Sequence, residues 1–271
     1  MCRLLGVSRS GYYAWLTRPI SRRERRNQVL LREIIRLHEK YPSLGVDGLY
    51  HILARKYTCS RGRVYRLMKK AGIHSKRKAG FKVTTNSKHT LPVAPNLLLR
   101  NFHAAAPNAV WVSDITYIRT GQGWLYLAIV KDLCTCKVVG YAWSTRIDTT
   151  LVLNALEMAI RRQKPSPGLI FHSDRGVQYA STRFRDALAA AGFRQSMCRK
   201  GDPYDNAVAE NFFSCLKCEA LHLAFFLTHD QATDAVFAYI EAFYNTIRPH
   251  SKISWLAPLS FEKSFYSRIP A

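Results

Sequence analysis

Residues 109–145 read AVWVSDITYIRT (109–120), GQ (121–122), GWLYLAIVKDL (123–133), CTC (134–136) and KVVGYAWST (137–145). Three β-rich runs joined by short Gly- or Cys-containing turns predict an antiparallel meander. Beyond it, TTLVLNALEMAIRRQK (149–164) has the pattern of a helix. GLIFHSD (168–174) is a short, almost wholly apolar run, which suits a buried strand in the middle of a sheet. STRFRDALAAAG (181–192) predicts a helix closed by Gly192, FRQSM (193–197) a short strand, and the stretch around GDPYDNAVAENFF (201–213) a further helix. The order β-β-β-α-β-α-β-α is α/β, with an antiparallel half and a parallel half: a mixed sheet flanked by helices.

Upstream of the meander the chain is all-α. Residues 1–17 resemble the tail of a helix-turn-helix, with a turn at Gly6 and Ser8 as N-cap. SRRERRNQVLLREIIRLHEK (21–40) is an amphipathic helix with Val29, Leu30, Ile34, Ile35 and Leu37 clustered on one side. Its cluster Arg22, Arg23, Arg25 and Arg26 either sits on phosphate or is solvated. Residues 46–56 and 60–71 predict two short helices, with Asp47 and Ser60 as N-caps. The second carries Arg61, Arg63, Arg66, Lys69 and Lys70, which suits a helix laid in a major groove. Lys76, Arg77 and Lys78 extend that basic surface, and 79–107, with Pro92, Pro95 and Pro107, is expected to be a linker partly packed through Leu97, Leu98 and Leu99.

Charge agrees with this division. The chain of 271 residues has a formal charge of +23; residues 1–100 hold 23 basic and 4 acidic residues, residues 101–271 only 18 and 14. The excess in the first third calls for a polyanion partner, most naturally nucleic acid. No apolar run reaches the roughly 18 residues of a membrane span, and MCRLLGVSRSGYYAWL has no secretory pattern. The expectation is therefore a cytoplasmic protein with no membrane partner. Its seven cysteines are expected to be reduced and to pack as small apolar residues.

Acids are scarce, so their positions are informative. Val112, Asp114, Thr116 and Ile118 share one face of the first strand, with no basic residue within four positions of Asp114. A buried, unpaired carboxylate is costly and needs a donor, a base or a metal. Asp174 stands at the carboxyl end of the apolar strand, on the same face as His172, where α/β sheets tend to carry sites. If the two strands are neighbours, the carboxylates converge and repel unless a proton or cation lies between them. A hard divalent cation suits such oxygens, and a third acid on a flanking helix would complete a two-metal site. Asp202 and Asp205 flank Pro203 and read as caps; Asp132 reads as an ordinary turn residue. That leaves Glu210, with Asn206, Phe213 and Lys217 on its face of the helix.

WVSDITYI (111–118), FHSDRGVQY (171–179) and GDPYDNAVAENFFSCLK (201–217) resemble the three acidic motifs of retroviral-integrase-like DDE transposases, and most closely the second reading frame of the insertion-sequence-three family. Thirty-five residues separate Asp174 from Glu210, the spacing of that superfamily's signature. YNTIRPHSKISWLAPLSFE (244–262) resembles the family's C-terminal motif, and 41–75 its internal helix-turn-helix.

The resemblance implies a ribonuclease-H-like core in which Asp114, Asp174 and Glu210 hold two Mg²⁺ ions, with Mn²⁺ as a substitute. It implies nicking of element ends by water and attack of the freed 3′-hydroxyl on another strand. The expected ranges are 1–40 for a partial helix-turn-helix and basic helix, 41–78 for a helix-turn-helix, 79–107 for a linker, 108–225 for the catalytic core and 226–271 for a C-terminal helix and tail. Double-stranded DNA, a homo-multimer on it, and an upstream-frame protein or frameshift fusion are the expected partners. Beyond the basic helix, Arg175 and Lys217 are the expected DNA contacts, Lys217 being otherwise an exposed helix lysine. His172 either orients water or packs, and Arg248 and His250 either meet DNA or hold the C-terminal segment. Cys134-Thr135-Cys136 departs from the aromatic, Ser and basic residue usual at that turn. A nuclease that does not join, and a DNA-binding regulator with a silent core, are the competing readings.

Overall fold

The alternation at 109–145 folds as it predicts. In the computed structural model, which describes residues 2–76, 91–199 and 203–268, β1 (Val110–Thr120), β2 (Gly123–Asp132) and β3 (Val138–Ser144) form consecutive antiparallel hairpins. β4 (Ile170–Ser173) pairs with β1 and β5 (Arg194–Met197) with β4, both parallel. The sheet order is β3-β2-β1-β4-β5. Asp202, Arg77 and Lys78 lie outside the described residues, as does 79–90 of the expected linker. The chain divides into two compact units, Met1–Ser75 and Lys76–Ala271.

In the first unit, helices α1 (Arg9–Thr17), α2 (Arg22–Lys40), α3 (Val46–Leu53) and α4 (Arg61–Lys70) begin at Ser8, Ser21, Gly45 and Ser60. The three serines accept a backbone N–H of the first turn, as good N-caps do. Asp47 is not a cap: it lies inside the first turn of α3, and its carboxylate pairs with Arg61. Leu30, Ile34 and Leu37 of α2, Leu49 and Leu53 of α3, and Val64, Leu67 and Met68 of α4 make one buried core, while Val29 and Ile35 stay exposed. Burial of each such side chain contributes about 1.5–3 kcal/mol. α1 buries nothing.

In the second unit, one face of the sheet is covered by α5 (Thr149–Gln163), α6 (Val177–Ala180) and α7 (Thr182–Ala190). They enclose Trp111, Val130, Leu151, Leu156, Phe171 and Phe184. α5 lies close on β3 because Gly140 has no side chain; a Cβ there would meet the Ala155 carbonyl oxygen and Ala159. On the other face, Val112 and Leu133 pack with Ala209 of α8 (Ala207–Glu219) and with Leu98 and Ala104. α9 (His229–Phe237) runs into a π-helical segment, Ala238–Tyr244, that buries Tyr239, Ile240, Phe243 and Tyr244. α10 (Pro258–Tyr266) closes the described chain.

Candidate active site

The parallel pairing of β1 with β4 decides where the acids meet. Val110 pairs with Ile170, Trp111 with Phe171 and Val112 with His172. Two residues further along that register, Asp114 comes opposite Asp174. β4 ends at Ser173, so Asp174 leaves the strand there, and its Oδ1 accepts the Gly176 N–H at 2.9 Å. Asp114 Oδ1 accepts the Ile115 N–H at 2.7 Å.

α8 crosses the same face and brings the third acid. Burial, then the charge of Asp174, then that of Glu210 drive the Asp114 carboxyl well above the usual carboxylate range, against hydrogen bonds from Ile115 and Asn206. Burial also raises Glu210. Asn206, one turn before Glu210, is buried, and its Oδ1 has no hydrogen-bond partner among the described groups. Lys217, two turns after Glu210, is half-buried with Nζ 4.8 Å from the centre of the Tyr117 ring. Burial lowers its amine, and the Asp114 charge opposes that. Below the acids, Ser113 Oγ and Tyr179 OH are 2.8 Å apart in the core.

Asp205 is a buried tie and not the helix cap its position suggests. Its carboxylate accepts Asn96 Nδ2 at 2.8 Å, and Arg199 N at 2.8 Å, Nε at 3.1 Å and Nη2 at 3.2 Å. Burial pushes this carboxyl up, but those donors outweigh it and hold it below the usual range. The Asp205 carbonyl meets His172 Nε2 at 3.0 Å, and His172 Nδ1 meets Ser196 Oγ at 2.8 Å. Ser196 Oγ already accepts the Leu97 N–H at 2.9 Å. The Asp205 carbonyl can only accept, so Nε2 carries the proton, and the bare Nδ1 of the neutral ring accepts the Ser196 hydroxyl. His172 is thus a packed, neutral ring that fastens the strand of Asp174 to the turn Pro203–Asn206 preceding Glu210. Asp132 is the turn residue expected, accepting Thr135 N at 2.7 Å and Oγ1 at 2.8 Å and Asn108 N at 2.7 Å.

The remaining basic residues separate by environment. Arg175 donates Nε to the Cys198 carbonyl at 2.6 Å, so backbone holds it. Arg61 pairs with Asp47, Lys70 with Glu24 at 3.3 Å, and Arg63 donates to Asn27 Oδ1 at 2.8 Å. Arg66 and Lys69 lie exposed on α4, beside exposed Tyr65. Arg248 and His250 hold the C-terminal segment: Arg248 pairs with Glu219, and the His250 ring packs at 4.7 Å on Tyr244.

Among the described residues, no three His, Cys, Asp or Glu side chains stand close enough to form a ready metal cage. The donor set still fits a hard divalent cation. Three carboxylates share one face, burial and then mutual repulsion raise Asp114, and oxygen is the only ligand type they offer. Mg²⁺ in particular takes one or two carboxylates plus substrate phosphate in place of an all-protein cage. No helix is long and apolar enough to cross a membrane among the described residues.

Comparison with known proteins agrees with this architecture. Models described as "Integrase core domain" match residues 104–203 and 191–258, and one described as "HTH-like domain" matches 24–80. The cryoEM structure of the simian T-cell lymphotropic virus intasome in complex with PP2A regulatory subunit B56 gamma aligns with a TM-score of 0.53 at 18% identity, covering 88% of this chain and 76% of that one. This likeness supports the integrase-like, ribonuclease-H-type fold. The "Insertion element IS600 uncharacterized 31 kDa protein" of Shigella sonnei is 44% identical over 271 residues, 98% of each chain. "Transposase InsF for insertion sequence IS3A" of Escherichia coli (strain K12) is 38% identical over 268 residues, 97% of this chain and 92% of that one. The chain belongs to the IS3 family of insertion-sequence transposases, DDE enzymes that bind DNA through a helix-turn-helix-like region and act on it with an integrase core.

Proposed function

We propose that Asp114, Asp174 and Glu210 are the catalytic acids of this transposase and together hold two Mg²⁺ ions, replaceable by Mn²⁺, during cleavage and strand transfer. The observation that carries the reading is the β1–β4 register, which brings Asp114 opposite Asp174 on the face crossed by α8. When bound, the metal pair supplies an acidified water or 3′-hydroxyl and a stabilised leaving oxygen for in-line displacement at phosphorus. The chain's own part is to aim the ligands. The Ile115 and Gly176 N–H groups fix one oxygen each of the two aspartates. The His172–Asp205 tie sets the turn from which Glu210 follows. Lys217 supplies a cation beside the acids for a substrate phosphate, and Arg66 and Lys69 offer exposed charge to the DNA backbone. Arg61, Arg63, Lys70 and Arg175, each already with a protein partner, complete the proposed DNA contacts.

In this reading residues 1–78 recognise element ends, 79–107 connect, 108–225 catalyse and 226–271 brace the core. The enzyme acts on double-stranded DNA in the bacterial cytoplasm as a homo-multimer, with an upstream-frame protein or frameshift fusion completing end recognition.

The test is a plasmid carrying the gene, its upstream frame and flanking DNA, amplified outward from the element for circles with abutted ends. Wild type yields circles. Glu210→Gln, which keeps shape and removes a ligand charge, and Asp114→Asn are expected to lower their yield at least a hundredfold, on the order of the loss of a key electrostatic group. Undiminished circles from Glu210→Gln would overturn the assignment.

A further inference from the structure

β1 outruns β4. Only Val110–Val112 pair with β4; beyond Asp114 that side of β1 meets no strand among the described residues, only an isolated bridge from Thr120 to Phe226. Its far end carries an unusual surface. Arg119 and Trp124 are cross-strand partners, and both are exposed, Trp124 to 46%. Tyr117, two residues from Arg119 and therefore on the same face of β1, the one opposite Asp114, meets Trp124 edge-on with ring centres 5.0 Å apart. The other neighbour of Tyr117 is the Lys217 ammonium, 4.8 Å above its ring. Starting from Lys217 of α8, the order is Lys217, Tyr117, Trp124, Arg119: cation, ring, ring, cation. Phe225 and Leu227 are also exposed. They flank Phe226, whose carbonyl accepts the Gly121 N–H at the hairpin turn at 2.9 Å.

Trp124 stands in a row that ends in a cation on either side, in a chain of net charge +23. Alternating aromatic faces and positive charge is the chemistry of single-stranded nucleic acid, in which bases stack on rings and phosphates pair with cations. Paired bases offer no free face to such a surface. We infer that the Lys217–Tyr117–Trp124–Arg119 row is a stacking platform for unpaired nucleotides of the strand that passes the acidic site. The platform rests on the proposed site only for the direction in which the strand runs.

Binding of the full-length chain would be followed by fluorescence anisotropy in chelator, so that Asp114, Asp174 and Glu210 need not act. The probes are a blunt duplex and the same duplex with a single-stranded 3′ thymidine tail. Wild type should prefer the tailed probe. Trp124→Ala should abolish that preference, weakening tailed binding about 5- to 100-fold while leaving blunt binding and its salt dependence unchanged. Trp124→Phe should retain it. Arg119→Gln should reduce the salt slope by about one. Glu210→Gln should keep the preference, which separates this inference from failure of the catalytic assignment. Equal binding of both probes by wild type, or a preference that survives Trp124→Ala, would overturn it. A surviving preference with altered sedimentation of the DNA-free Trp124→Ala chain would overturn it in favour of contact between copies.

Discussion

Arg248 grips Glu219 with two prongs, Nε to Oε2 at 2.8 Å and Nη2 to Oε1 at 2.7 Å, and its Nη2 also reaches Cys215 Sγ at 3.2 Å. The pair joins the last turn of α8 to the segment after the π helix, with the two side chains 14% and 3% exposed. Tyr239 OH donates to the same carboxylate at 2.8 Å. Removing one partner of such a pair strands a buried charge. Arg248→Ala should therefore cost about 3–5 kcal/mol. Urea unfolding of the purified chain checks this, and a cost below about 1 kcal/mol would mean that water replaces the guanidinium.

His172 and His250 make stability depend on acid. Burial lowers the basicity of both rings, and Arg248 and Lys131 help push His250 down to about 2. The folded pKa is the lower one, so as pH falls the unfolded chain takes up a proton that the fold refuses. Stability is full above the unfolded value near 6.5 and falls below it, by at most about 1.4 kcal/mol per pH unit for each ring, until that ring's lowered folded value is reached. Asp114, raised by burial and like charge, works in the opposite sense. A difference experiment isolates the histidine: His250→Gln should lose less stability than wild type between about pH 7.5 and 5.5. Equal losses would show that His250 titrates normally.

Asp205 should matter to catalysis without touching substrate. Asp205→Ala removes the acceptor shared by Asn96 and Arg199 and loosens the turn that leads to Glu210. The expected result is about a 10- to 100-fold fall in circle yield, the usual loss when the partner of a ligand is removed. Asp205→Asn, which still accepts hydrogen bonds, should recover part of it. Equal, full activity in both variants would show that α8 holds its place unaided.

Periodicity made the three hairpin strands, β4 and α5 readable, because alternation and apolar runs are local properties. The meeting of Asp114 with Asp174 was foreshadowed because Asp114 has no nearby base and Asp174 ends an apolar strand next to β1. What stayed hidden depends on partners distant in the chain. Asp205 looks like a cap beside Pro203, and only the fold brings it Asn96, 109 positions away. Arg248 could have faced DNA until Glu219, 29 positions away, was found against it. Asp47 lies one residue inside the helix that begins after Gly45, and its carboxylate meets Arg61, 14 positions away. α6 is four residues long, too short to show a period. Asn206 was visible only as a residue sharing Glu210's face; its hydrogen bond to Asp114 needed β1 beneath it.

Asn245 closes the inner end of β3: its Oδ1 accepts the Val138 N–H and its Nδ2 donates to the Val138 carbonyl, each at 3.0 Å. These partners are 107 positions apart. On a translating ribosome, at about 5–20 residues per second, β3 emerges roughly 5–20 s before the amide that completes it. The sheet therefore gains this last tie only once residue 245 has been made. A message cut short before Asn245 would yield Asp114, Asp174 and Glu210 without the amide that closes the sheet beneath them.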